Sequence, residues 1–310
     1  MKVAVVMATY NGSKFINEQM CSINEQTRKP DEVIFCDDGS TDNTVMLIHN
    51  YIKKNNLENW KVIKNKHMGV TKNFYYGIGM AESDIIFISD QDDIWKRNKI
   101  EIMIKPFSDA TVKTVTCRKN LIDTFGKPIK SYPDCVINPK VKKSQGRFLS
   151  FDEELKYMVS SGLCLAFKKE FFSEVEKFVN KYNLLYDIPF GIVASMNGGD
   201  FTINESLVLH RIHTNNVSKP INSAIERKGK SLHQIESHKY KLELLIALSK
   251  EYYNFLDYNQ RDILEETIQL HKQSINALEK RSVFQLFKLL FYTNKGFNKF
   301  MSIADIISVL

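Results

Sequence analysis

One pattern, repeated across the first ninety or so residues, constrains this chain more than anything else. A short apolar run is cut by a polar turn, and a segment of helical spacing follows. The run "VAVVM" (3–7) is broken by "TYNGSK", after which Phe15, Ile16, Met20 and Ile23 recur at helical spacing. "DEVIFC" (31–36) closes on "DDGSTDNT", and Val45, Ile48 and Ile52 mark a second helix with Ser40 or Thr41 as its N-cap. "KVI" (61–63) reads as a third strand, Val70, Phe74 and Ile78 as a third helix, and "DIIFIS" (84–89) as a fourth strand. Apolar strands separated by single helices predict an α/β fold, a mostly parallel sheet flanked by helices.

Such a sheet limits where chemistry can sit, because ligands bind outside the carboxyl ends of its strands. Three polar clusters fall at those ends: Thr9-Tyr10-Asn11, Asp37-Asp38-Gly39-Ser40 and Asp90-Gln91-Asp92-Asp93. Distant in sequence, they converge on one crevice in this fold. The third cluster crowds three carboxylates at the tip of a buried strand. Taken alone it fits a solvated loop, a helix N-cap, a general acid or base, or a divalent metal site. Neither GxGxxG nor GxxxxGK[ST] follows the first strand, where "ATYNGSK" stands instead. Dinucleotide and P-loop readings are therefore poor. A nucleoside diphosphate whose phosphates are bridged by Mg²⁺ or Mn²⁺ fits better, since both ions want hard oxygen ligands.

Composition excludes other classes. Hydrophobic content of 43% and charged content of 25% suit an ordinary globular protein. No apolar run reaches the length of a membrane span. The N-terminus passes into a strand without a signal-peptide layout, so a cytoplasmic location is expected. The five cysteines, Cys21, Cys36, Cys117, Cys135 and Cys164, form no CxxC and read as reduced, mostly buried thiols. The net charge of +7 is spread along the chain. That disfavours a nucleic-acid partner and favours nucleotides or acidic lipid surfaces.

The stretches "VAVVMATYNG", "DEVIFCDDGSTDNT", "NKHMGVTKNFYYGI" and "DIIFISDQDDIW", in this order and spacing, resemble family 2 glycosyltransferases with the GT-A fold. "SDQDDIW" looks like the rhamnosyl- and hexosyltransferases of bacterial surface (capsule-type) polysaccharide assembly. The resemblance implies a GT-A domain over 1–218 and leaves 219–310 as a helical C-terminal region. It implies an inverting, metal-dependent transfer of rhamnose or a hexose from a dTDP- or UDP-sugar. The acceptor would be a hydroxyl of an oligosaccharide or a lipid-linked glycan, met at the inner membrane face. Carried over residue by residue, Thr9 and Tyr10 contact the nucleoside, and Asp37 and Asp38 bond base and ribose. Lys72 approaches the diphosphate. Asp90, Gln91, Asp92 and Asp93 cover the DXD-type motif, with Asp92 on the ribose or metal side and Asp93 on the metal itself. His213 either completes the metal and diphosphate site or is structural, and Arg211 is a salt-bridge residue. Trp95 reads as packing. In "SSGLCLAF" Gly162 would let the sugar approach closely, and Cys164 is a packing residue.

An inverting transfer needs a base for the acceptor hydroxyl. In "LLYDIPFGIVASMNGGDFTINESLVLHRIHTNNVS" the resemblance assigns that role to Asp187. Its alternative is an N-cap ahead of Pro189, and one residue can do both. Asp200, after "NGG", is a rival whose simpler reading is a turn. Tyr186 stands where the family usually has His. Two other functions compete. A sugar nucleotidyltransferase would want a glycine- and basic-rich loop after the first strand. A non-catalytic scaffold would have lost the carboxylates, yet Asp90, Asp92, Asp93 and Asp187 are all present. From about residue 223 helical periodicity takes over. "RSVFQLFKLLFYTNKGFNKF" is apolar at 283, 284, 286, 287, 290 and 291, with Lys288, Lys295 and Lys299 interspersed. It fits either a helix packed on the main domain or one lying on an anionic bilayer.

Overall fold

A computed structural model describes residues 1–129, 146–158, 160–214, 216, 231–289 and 299–309. Cys135, Lys295, the apolar positions 290 and 291 and the boundary expected at 218 lie outside the described residues. The chain divides into two compact units. One is Met1–Phe148 with Val159–Asn216, and the other is Leu149–Met158 with Val217–Leu310.

The first unit is built on one sheet. Its first half alternates β1 (Val3–Thr9), α1 (Ile16–Asn24), β2 (Glu32–Asp37), α2 (Thr44–Lys54), β3 (Trp60–Lys64), α3 (Val70–Met80) and β4 (Ile85–Ser89). β3, β2, β1 and β4 lie side by side, all parallel. β2 and β4 are buried at every position, which is why they read as unbroken apolar runs. The second half is mixed. β5 (Ile94–Trp95) and α4 (Lys99–Met103) lead to β6 (Thr114–Ile122), and β7 (Gly146–Phe148), β8 (Leu165–Lys168), α6 (Lys169–Tyr182), α7 (Ile188–Ser195) and β9 (Asp200–Arg211) complete the unit. β8 is antiparallel to both β4 and β6, β6 is parallel to β9, and β5 and β7 pair antiparallel with β9. Val5, Met7, Phe35, Ile48, Phe87 and Trp95 belong to one core.

The start of α2 differs from expectation. Its N-cap is Asn43. Ser40 and Thr41 are turned back toward the strands instead. The Ser40 backbone N–H donates to Asp37 Oδ1 at 2.9 Å and the Thr41 N–H to Asn11 Oδ1 at 2.9 Å. Those N–H groups serve the strand ends, and the helix begins only after them.

The second unit comprises α5 (Phe151–Tyr157), α8 (Ser231–Tyr252), α9 (Tyr258–Glu279), α10 (Val283–Leu289) and α11 (Lys299–Val309). α9 starts in a reciprocal cap. Asp257 accepts from the Gln260 N–H at 2.8 Å, and the Gln260 side chain accepts from the Asp257 N–H at 3.0 Å. Ile235, Leu270, Ala277, Leu278, Leu286 and Leu289 form its buried apolar cluster. Among the described residues no helix is long and apolar enough to cross a membrane.

Candidate active site

The carboxyl ends of β1, β2 and β4 are tied to one another through the residues that the sequence singled out. Thr9 Oγ1 donates to Asp37 Oδ2 at 3.0 Å, and Ser40 Oγ donates to the same oxygen at 2.5 Å. Asp38 accepts from the N–H groups of Met68 at 2.6 Å and Gly69 at 3.0 Å, so it anchors the N-terminus of α3. Gln91 clamps β4 to β1, accepting from the Tyr10 N–H and donating to the Tyr10 carbonyl, both at 3.0 Å. Gln91 is therefore a brace between strand ends. The exposed Tyr10 ring lies 4.9 Å from the His67 ring, at the rim of the crevice. Lys72 is solvent-exposed in the first turn of α3.

The three carboxylates after β4 have unequal surroundings. Asp93 is wholly buried, and its Oδ1 accepts from the Arg211 N–H at 3.1 Å and meets His210 Nδ1 at 2.8 Å. Its Oδ2 is also buried and has no hydrogen-bond partner among the described residues. Asp93 is thus engaged by the end of β9, and it is the least open of the three to a ligand. Asp92 is half-buried, its Oδ2 2.7 Å from His213 Nε2. Arg211 braces this arrangement. Its guanidinium pairs with Glu18 at 2.6 Å and donates to the Asp92 carbonyl at 3.0 Å. Burial and the charges of Asp93, Asp92 and Asp187 push Asp90 well above the usual carboxylate range, against the pull of Lys119. Burial and Asp93 raise Asp92 as well, opposed by His213.

Asp187 joins this cluster from the other half of the sheet. It caps α7, accepting from the Ile188 N–H at 2.9 Å, and its other oxygen accepts from the Gly162 N–H at 3.0 Å. Burial raises its pKa, and those two N–H groups only partly offset this. The capping and basic readings are compatible, since the bonds that cap the helix also aim the carboxylate. Asp200 lies elsewhere. It opens β9, level with Thr114 at the start of β6 and bonded to it at 2.6 Å. Through β8 this level corresponds to Ile86, near the opposite end of β4 from Asp90.

Two residues, Lys119 and Lys99, escaped sequence reasoning, and a third, Tyr186, is noted there only as standing in for the family's His. Tyr186 packs against Phe74 at a tilt, ring centroids 4.6 Å apart, and an added Cβ at Gly162 would collide with its hydroxyl. The space beside Gly162 is therefore taken by Tyr186, where an approaching sugar was expected. Burial, Asp90 and Asp187 hold that phenol well above its ordinary pKa, so it stays a hydrogen-bond donor. Lys119, on β6, reaches Ser161 Oγ at 3.4 Å and faces Asp90 and Asp187. Lys99 is fully buried, donates to the Leu163 carbonyl at 2.8 Å and sits 3.6 Å from the centre of the Trp95 ring. The weak periodicity after residue 105 concealed β6 and hence Lys119. Trp95 and Cys164 are core residues.

The donor set suits a hard divalent cation. Burial and neighbouring carboxylates raise Asp90 and Asp92, and Asp93 keeps an unpartnered buried oxygen beside them, a setting that a cation would relieve. Among the described residues no three His, Cys, Asp or Glu side chains form a ready-made metal cage. That is compatible with Mg²⁺ or Mn²⁺, which one or two carboxylates often hold together with substrate phosphates.

Comparison with known proteins bears on the fold and the family. The profile of "Glycosyl transferase family 2" matches residues 4–175. The dTDP-rhamnosyl transferase RfbG of Shigella flexneri is 30% identical over 251 residues, covering 77% of this chain and 82% of its own. Among solved structures, S. aureus TarS 1–349 in complex with UDP-GlcNAc aligns with a TM-score of 0.60 at 13% identity, over 94% of this chain and 81% of that one. The mannosyltransferase PcManGT from Pyrobaculum calidifontis, in complex with GDP-Man and Mn²⁺, aligns with a TM-score of 0.54 at 15% identity, over 99% and 85%. These likenesses show a shared GT-A fold. With more than half of its length matched by the profile, the chain belongs to glycosyl transferase family 2.

Proposed function

We propose that this protein is an inverting, metal-dependent glycosyltransferase of cell-surface polysaccharide synthesis. It moves rhamnose or a hexose from a dTDP- or UDP-sugar to a hydroxyl of a glycan or lipid-linked acceptor. One observation carries this reading. Asp187, a carboxylate from the second half of the sheet, shares an electrostatic environment with Asp90 at the tip of β4. In this reading the base and the acidic motif act at one place although nearly a hundred residues separate them. RfbG, whose name makes it a dTDP-rhamnosyl transferase, supports the sugar class. The complexes of TarS with UDP-GlcNAc and of PcManGT with GDP-Man and Mn²⁺ support a nucleotide-sugar donor and a divalent ion.

In this reading Tyr10, Asp37 and Asp38 line the nucleoside end. Asp92, with His213 beside its Oδ2, would hold Mg²⁺ or Mn²⁺, while Asp93 fixes the end of β9 so that His213 reaches Asp92. The ion supplies positive charge for the leaving diphosphate. Asp187, aimed by Gly162 and Ile188, takes the proton from the attacking acceptor hydroxyl. Its raised pKa brings it closer to the working pH of a base than an ordinary carboxylate. The Tyr186 hydroxyl, kept protonated, donates a hydrogen bond to the sugar or acceptor.

A thermal-shift panel of UDP, dTDP and GDP, each with Mn²⁺, Mg²⁺ or EDTA, tests the proposal. One diphosphate should raise the melting temperature only with metal, because it binds the folded state alone. If none stabilises the protein under any metal condition, the reading fails.

A further inference from the structure

In the helical unit, α10 divides its residues sharply between two faces. Leu286 and Leu289 are buried in the apolar cluster. Phe284 and Phe287, one turn apart, are 70% and 52% exposed. Ile303 of α11, a helix that packs on α10, is 43% exposed. Singly exposed apolar residues are ordinary, but large ones grouped on one face mark an interaction surface.

The charges beside them have one sign. Lys280 and Arg281 are exposed and immediately precede the helix. Lys288 sits within it, its Nζ 4.6 Å from the centre of the Phe284 ring. The nearest acid in sequence, Glu279, is already paired with Lys239 at 3.4 Å. Protruding aromatic rings with basic heads beside them suit the interface of an acidic bilayer. The rings enter the acyl boundary, and the lysine stems lie along it while their ammonium groups reach lipid phosphates.

We propose that the exposed face of α10, formed by Phe284, Phe287 and Lys288, docks on an anionic lipid bilayer together with Lys280 and Arg281 just ahead of the helix. The geometry belongs to the helical unit alone. Only the purpose, meeting a lipid-linked acceptor where it is anchored, rests on the function proposed above. Each basic residue near an acidic surface is worth about 1 kcal/mol, or roughly fivefold in partitioning.

The test is co-sedimentation of the full chain with phosphatidylcholine vesicles, with and without half phosphatidylglycerol. The expected result is binding to the anionic vesicles only, weakened by raised salt. Phe284→Ser with Phe287→Ser should lower it at least about tenfold at an unchanged circular dichroism spectrum. Should that double variant misfold, Arg281→Glu with Lys288→Glu decides, with the same expected loss. No binding to anionic vesicles, or binding by folded variants equal to the parent's, overturns the proposal. A dimer of the parent that the phenylalanine variant dissolves assigns the face to a second copy, and overturns it too. Sugar transfer to a water-soluble acceptor is assayed in parallel. Its absence in the parent counts against the transferase reading and leaves the vesicle result standing.

Discussion

Each unit buries a cluster of ionisable side chains, and the two clusters are balanced in opposite ways. In the helical unit His238 stands between Asp305 at 2.9 Å and His271 at 2.7 Å, all three essentially out of solvent. Lys241 feels the charge of Asp305, and burial lowers its pKa to about 8. One carboxylate faces two imidazoles and an amine. Burial, His238 and Lys241 hold His271 neutral, and Asp305 Oδ1 is buried with no hydrogen-bond partner among the described residues. In the transferase unit four carboxylates, Asp90, Asp92, Asp93 and Asp187, gather with Lys119, His210 and His213, and neighbouring carboxylates raise the pKa of both Asp90 and Asp92. Four crowded carboxylates suit the cation of the function proposed above, whereas one carboxylate among imidazoles and an amine suits a structural network.

The comparison can be broken from either side. The largest effect is expected for Asp187→Asn. Turnover should fall by about 10²–10⁴ while nucleoside diphosphate binding persists, as single-turnover transfer and calorimetry would show. Unimpaired transfer would remove Asp187 from catalysis. Asp305→Ala should act only on stability, costing about 3–5 kcal/mol because it strands buried partners. Urea unfolding measures that, with turnover per folded molecule unchanged. Next comes Asp92→Asn, which should weaken metal-dependent nucleotide binding about 10–100-fold and leave the melting temperature of the free protein nearly unaltered. The smallest effect is in pH. The unfolded chain protonates His271 near pH 6.5, whereas the folded chain does so only lower, since its folded pKa is depressed. The stabilisation is full above about pH 6.5 and is lost as pH falls below it, by at most about 1.4 kcal/mol per pH unit. Chemical unfolding between pH 5 and 8 reads this, and His271→Gln should flatten the slope.

The opening strands are legible in the sequence because burial on both faces makes them continuous apolar runs, and the polar breaks at their ends mark where the sheet presents ligand groups. That logic alone places Thr9, Asp37, Asp38 and the carboxylates from Asp90 to Asp93 at strand ends. Asp187 needs family resemblance, since one carboxylate before a proline reads equally well as a helix cap. It is in fact both a cap and a member of the cluster. The mixed second half of the sheet is harder to see. β6 is nine residues long but carries Arg118, Lys119 and Asn120 in its middle, which hides its strand character.

What the sequence determined alone is local: periodicity, strand ends and the residue types placed there. The tertiary structure decided which partners each of those groups meets. Asp92 and Asp93 are neighbours of identical chemistry, yet Asp93 is consumed by His210 and Arg211 while Asp92 turns toward His213. Those partners lie 117 to 121 positions along the chain. No local pattern encodes such separations. They follow from the docking of β9 beside β6 and β5, which depends on the packing of the whole sheet.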